Sequence, residues 1–97
     1  SDVNSLLDEK LKAKLYSNIP NPFKEQTTIS FFIPETSSRA SIHIYNLQGK
    51  QIKQLNIESR GNGSVTINGY ELTPGMYMYS LIVDGQEVDT KKMILTE

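Results

Sequence analysis

Along most of this chain apolar residues recur at every second position, and that spacing restricts it to folds built from half-buried strands. Thr28–Ile33 sets Ile29, Phe31 and Ile33 on one face, and Ala40–Tyr45 does the same with Ala40, Ile42 and Ile44. Ser64–Asn68 turns Val65 and Ile67 inward, and Met76–Val83 aligns Tyr77, Tyr79, Leu81 and Val83. Two runs are less regular. Gln51–Ile57 carries Ile52, Leu55 and Ile57 slightly out of phase, which signals a bulge. Glu87–Leu95 admits two registers, with either Val88 and Ile94 or Met93 and Leu95 inward, and Lys91-Lys92 keeps both from being wholly apolar. Leu15-Tyr16 is a candidate for one further short strand.

The separators have turn chemistry: Pro34-Glu35-Thr36-Ser37-Ser38, Asn46-Leu47-Gln48-Gly49, Arg60-Gly61-Asn62-Gly63, Leu72-Thr73-Pro74-Gly75 and Asp84-Gly85. Asp84-Gly85 is a type I′ hairpin signal that joins the last two strands directly. Tyr77, just after Leu72-x-Pro-Gly at the opening of the penultimate strand, sits where sandwich folds place a tyrosine corner. The expected fold is all-β, an immunoglobulin-like antiparallel β-sandwich of about seven strands. With 97 residues, 37% of them hydrophobic, the chain has material for one modest core and no second domain.

Residues 1–14 follow a different rule. Ser5-Leu6-Leu7-Asp8 matches a capping box, Leu7, Leu11 and Leu15 recur at i+4, and Asp8 with Lys12 is a favourably oriented helical pair. A short helix is expected over 1–14, preceding the sandwich at 15–97. Alone in water it would be marginal. It reads as a linker, or as the stub of an upstream coiled coil through which the chain self-associates. The start at Ser1 rather than Met suggests a piece of a longer protein.

Composition excludes several classes of function. Ten Lys and Arg against eleven Asp and Glu give a net charge of -1, so no field is available to hold nucleic acid. With no cysteine, thiolate metal sites and thiol nucleophiles are absent. No apolar run is long enough to insert across a bilayer. His43, the single histidine, falls on the outer face of its strand with no Ser or Cys partner expected beside it. Asp84, Glu87 and Asp89 cluster at a hairpin without the spacing of a calcium loop. Gly61-Asn62-Gly63 reads as a turn rather than a phosphate loop. Tyr77 and Tyr79 point inward, towards packing rather than a sugar platform. Neither catalysis nor a cofactor is expected.

Ile19-Pro20-Asn21-Pro22-Phe23 is the stretch that strand and turn logic explains least. Its prolines fix φ, favour extended conformations at Ile19 and Asn21, and cannot donate to a ladder, so the segment should end the helix and run as a stiff edge. With Leu15-Tyr16-Ser17-Asn18 before it, the stretch resembles the opening of the type A C-terminal sorting domain of proteins exported by the type IX secretion system. Thr28–Pro34 is similar to that family's T-I-x-F-x-I-P strand, and Ile44–Lys50 to its Y-D-x-x-G-[KR] motif. Leu72–Gly85 resembles L-x-x-G-x-Y-x-Y-x-L-x-x-D-G, and Lys91–Leu95 the closing basic-then-apolar strand. The likeness runs from Leu15 to Glu97, where Thr96-Glu97 replaces the terminal lysine of many members.

The resemblance implies an address label. Such a domain crosses the inner membrane attached to an upstream cargo, folds in the periplasm and is recognised by the outer-membrane translocon. A sortase-like cysteine protease of that machine then commonly removes it, leaving the cargo at the cell surface or outside a Gram-negative bacterium. The residues expected to meet the translocon are Pro20, Asn21, Pro22, Phe23, Gly49, Gly75, Tyr77, Lys91, Lys92, Met93, Ile94 and Leu95. For Lys91-Lys92 an independent argument exists. Neighbours on a strand face opposite ways, so one lysine must either snorkel from the apolar side or lie at a sheet edge. The pair then serves as edge protection or meets an acidic groove. The competing readings are an immunoglobulin-like adhesion or spacer module and the terminal domain of a fibre-like protein.

Overall fold

A computed structural model of the chain describes residues 12–97. Its strands are β1 (Lys14–Leu15), β2 (Gln26–Ile33), β3 (Ala40–Asn46), β4 (Gln51–Asn56), β5 (Gly61–Asn68), β6 (Gly75–Val83) and β7 (Gln86–Leu95), with one 3-10 turn at Gly69–Glu71. They form two antiparallel sheets, β1-β2-β5 and β4-β3-β6-β7. Constant-type immunoglobulin sandwiches keep their fourth strand in the first sheet, whereas here β4 has joined β3 in the second.

The period-two runs fill the space between the sheets. Ile29, Phe31, Ile33 and Ile67 from one layer face Ile42, Ile44, Tyr77, Tyr79, Leu81, Met93 and Leu95 from the other, all buried. Polar alternates such as Ser30, His43 and Thr66 stay at the surface, as a sheet with one wet face requires.

Bulges settle the irregular runs. Between β3 and β4 the register slips after Ile44, the bulge that the out-of-phase run signalled, so Ile52 turns outward while Leu55 and Ile57 pack inward. Between β6 and β7 it slips at Leu81/Ile82, leaving Val88 exposed and bringing Met93 and Leu95 into the core. An extra residue reverses the side-chain phase of everything beyond it. The Asp84-Gly85 hairpin has positive φ at both residues (50° and 82°), the type I′ geometry.

Two expectations need correction. The helix expected over 1–14 lies outside the described residues up to Leu11, and its end is not helical. Lys14 and Leu15 pair with Phe32 and Phe31, and Leu15 is buried as a strand residue. The free edge of β2 offers those two residues a ladder that a short isolated helix cannot match. Gly61-Asn62-Gly63, expected as a turn, opens β5 opposite Ile33, Phe32 and Phe31. The glycine is there because a Cβ at position 63 would lie 2.9 Å from the Phe31 ring.

Candidate functional site

The strand order sends the turn after β3, the start of β6 and the end of β7 to one pole of the sandwich, together with the 3-10 turn after β5. The chain before β2 reaches that pole as a strap. Tyr16 N–H donates to Ser30 C=O, and Ile19 exchanges both backbone hydrogen bonds with Thr28, so the strap first runs beside β2. It then crosses through Pro20-Asn21-Pro22, with both X-Pro bonds cis, to the edge of β7. There Phe23 donates to Ile94 C=O at 2.9 Å and accepts from Thr96 N–H at 2.8 Å. The segment is thus a strap between the sheets rather than a simple stiff edge.

Asn21 completes the seam. Its Oδ1 accepts from Ile94 N–H at 3.0 Å and its Nδ2 donates to Lys92 C=O at 3.3 Å, so one side-chain amide substitutes for a missing strand. Phe23 inserts its ring into the core while Pro20, Asn21 and Pro22 stay exposed.

The strap is locked from within by Tyr79, Asn18 and Thr27, none of them among the residues expected to meet the translocon. Tyr79 is fully buried, and its hydroxyl accepts from Asn18 N–H at 2.8 Å and donates to Tyr16 C=O at 2.9 Å. Burial holds this phenol above its usual pKa range, the hydrogen bond from Asn18 opposes the shift, and the Asp89 carboxylate adds to it. The Asn18 amide donates to Thr27 Oγ1 and Pro20 C=O, and Thr27 donates to the same carbonyl at 2.7 Å. Alternation placed Tyr79 inward, but its hydroxyl's partners and the buried Asn18 and Thr27 leave no periodic trace in the sequence.

The other candidates surround the strap. Gly75 pairs with Leu95 and Tyr77 with Met93. Tyr77 is buried and its hydroxyl donates to Thr73 C=O, forming the expected tyrosine corner. Asn46 pairs with Tyr77, which carries the adjoining turn to the same pole, and Gly49 occupies a φ of 84° there. Asn46 Oδ1 accepts from the backbone N–H of Gln48 and Lys50, both at 3.0 Å, and shapes that turn. Met93 and Leu95 are buried, Ile94 is half-buried and Lys92 is exposed. Lys91, farther up the strand, lies on the core side of this edge and reaches out to Asp89 at 3.5 Å, so it snorkels. At the pole a shallow cleft of about 350 Å³ opens between Tyr70, Leu72, Pro74 and Leu95, with Lys24 and Glu97 at its rim.

A second, polar cleft of about 460 Å³ lies towards the opposite pole, lined by residues that include Arg39, His43, Gln54, Arg60 and Asp84. His43 does have hydroxyl partners, against expectation: Ser41 Oγ is 3.0 Å from Nε2 and Tyr45 Oη is 3.3 Å from Nδ1. Strand alternation sets these i±2 neighbours on one face. Asp84 is occupied structurally, accepting from the N–H groups of Ser38 and Arg39 at 2.8 Å.

A family model described as secretion system C-terminal sorting domain matches residues 17–96. The chain belongs to that family. As a sorting domain it is a signal for type IX secretion, implying interaction with the secretion machinery and export to the cell surface or extracellular space of a Gram-negative bacterium. The family is not itself catalytic. No curated protein matches the chain. Among solved structures, the sorting domain is similar to part of dimeric latent PorU from Porphyromonas gingivalis. There the TM-score is 0.70 at 23% identity, over 87% of this chain and 9% of that one. The BSP domain of a biofilm associated protein gives 0.60 at 13% identity, covering 86% of this chain and 15% of that one. A β-glucosidase from Listeria innocua in complex with glucose gives 0.52 at 10% identity, covering 89% and 16%. The chain spans a small part of each of these proteins, and the likeness is one of fold.

Proposed function

We propose that the sorting domain is read at the strap pole by the outer-membrane translocon of the type IX system. The supporting observation is the amide of Asn21 on the backbone of Lys92 and Ile94, which joins the Pro20–Phe23 motif and the terminal-strand motif into one surface. Pro20, Asn21, Pro22, Gly49, Gly75 and Lys92 present the exposed face of that surface. Phe23, Tyr77, Met93 and Leu95 hold its shape from inside, and Ile94 lies between the two roles. Lys91 and Lys92 supply the cationic rim that speeds encounter with an acidic groove. Residues 1–14 form the connection to an attached cargo, the last of them, Lys14, already in β1, and 15–97 the sorting unit.

In this reading the domain folds in the periplasm and carries its cargo to the translocon. A sortase-like cysteine protease then removes it, and the cargo is left at the cell surface or released. The test is a reporter directed to the periplasm and fused to residues 1–97, in a host that has the type IX machine. The reporter should reach the surface, and an Asn21→Ala/Lys92→Ala variant that folds normally should be exported more slowly. Periplasmic retention of the parent fusion with the domain folded would favour the adhesion or spacer reading, and export of the variant at the parental rate would remove the strap pole from recognition.

A further inference from the structure

Four strand edges bound the two sheets, those of β1, β5, β4 and β7. An open edge is a template for another strand, and proteins blunt such edges by brevity, bulges, charge, proline or cover. Three of the four are blunted. β1 is two residues long. β7 has a bulge, Lys91 and Lys92, and the strap over its end. β4 has a bulge beside Tyr45 and carries Lys53, paired with Glu71. Among the described residues, β5 has none of these devices. Gly61–Asn68 contains no charged residue and no proline, and it pairs with β2 over all eight residues without a register shift.

The ladder also shows which groups of β5 are free. Gly69 N–H donates to Glu25 C=O at 2.8 Å, extending the β2–β5 pairing, so the odd-numbered residues of β5 bond towards β2. The N–H and C=O groups of Asn62, Ser64, Thr66 and Asn68 therefore point away from it, and among the described residues no strand or backbone group pairs with them.

We infer that β5 is a self-pairing edge: two copies of this chain join β5 to β5, antiparallel about a two-fold axis, and merge two three-stranded sheets into one. In the register centred on Val65, Ser64 lies opposite Thr66 of the second copy and Asn62 opposite Asn68 of the second copy. Hydroxyl meets hydroxyl and amide meets amide on the outer face, while Val65 meets its own copy on the core side. All the outward groups are used, giving about eight hydrogen bonds. The two-fold axis makes the lack of charge informative. A charged side chain near the axis would be held close to its own copy, a constraint that an unrelated partner strand does not impose. A neutral run of this length, in a chain that is 22% charged, suits a second copy.

One strand edge buries little surface, so the dimer should be weak and dependent on concentration. Sedimentation of residues 1–97 should show a monomer–dimer equilibrium as the concentration rises from micromolar to about millimolar. A Ser64→Lys/Thr66→Lys variant should remain monomeric, as should Ser64→Glu/Thr66→Glu, and mixing the two should restore a dimer. Both substitutions are on the solvent face, and circular dichroism checks the fold. On the unaltered chain, amide exchange at Ser64 and Thr66 should slow several-fold at high concentration. A parent that stays monomeric, a double-lysine variant that dimerises as the parent does, a mixture that stays monomeric, or exchange at Ser64 and Thr66 independent of concentration would each overturn the proposal.

Discussion

Asn21 Oδ1 and Ile94 N–H are 3.0 Å apart across a sequence separation of 73 residues, so a side chain from the strap continues the hydrogen-bonding edge of the last strand. The contact is at the surface, where water competes for both groups. Asn21→Ala should therefore cost about 0.5–1.5 kcal/mol. The local effect should be larger: Ile94 N–H should exchange distinctly faster while amides of β3 and β6 keep their protection. Unchanged exchange at Ile94 would show that the seam does not hold the edge.

Tyr79→Phe removes one hydroxyl and strands two backbone groups, Asn18 N–H and Tyr16 C=O. Leaving such groups unpaired in a buried site should cost roughly 1–3 kcal/mol, measured by thermal or urea unfolding.

The same hydroxyl sets a pH dependence. Its pKa is raised in the folded chain, so its contribution is fully present below the unfolded value, about 10. As pH rises the unfolded chain ionises first, and that contribution is lost progressively until the buried hydroxyl ionises as well. The Tyr79→Phe variant should lack this part of the alkaline decline. Parallel stability curves for the two proteins above that pH would contradict the assignment.

Gly63→Ala puts a methyl group against the Phe31 ring with no room for it. Overpacking of this kind should destabilise by about 1–3 kcal/mol. Ser64→Ala, next to it on the solvent face, should change the unfolding midpoint by no more than a few tenths of a kcal/mol equivalent.

Replacing Lys91 and Lys92 by glutamine separates encounter from folding. Lys91 reaches an exposed carboxylate, a pair that contributes little to stability. The melting temperature should hardly move, while export of a fused reporter should slow. Parental export with an unchanged fold would exclude the pair from recognition, and aggregation in place of export would assign it to edge protection.

What could be read in advance follows from how each feature is written in the chain. β2, β3 and β6 announce themselves because Ile29-x-Phe31-x-Ile33 and its counterparts repeat a period the eye can count. The bulges did not disclose their positions: whether Val88 or Met93 faced inward depended on one extra residue whose effect exists only once β6 lies beside β7. Family resemblance put both Pro20–Phe23 and Met93–Leu95 among the residues expected to meet the translocon, but their convergence was not legible, since residues 73 apart share no local pattern. Ser41 and Tyr45 beside His43 were legible, because i±2 on a strand is one face, and strand alternation alone would have found them.

The strap enters beside Phe32 at Lys14, runs the length of β2 and finishes against β7 at the far pole. A pull on the residues before Lys14 would therefore load β1 first, at two residue pairs, and then the Tyr79 lock, before any force reached Asn21 and Phe23. Under such a pull the buried phenol would act as a mechanical fuse. Tension held below its limit leaves the far pole undisturbed, and tension above it would peel the strap away and bare the end of β7, so that the surface offered there depends on what tugs at the other end.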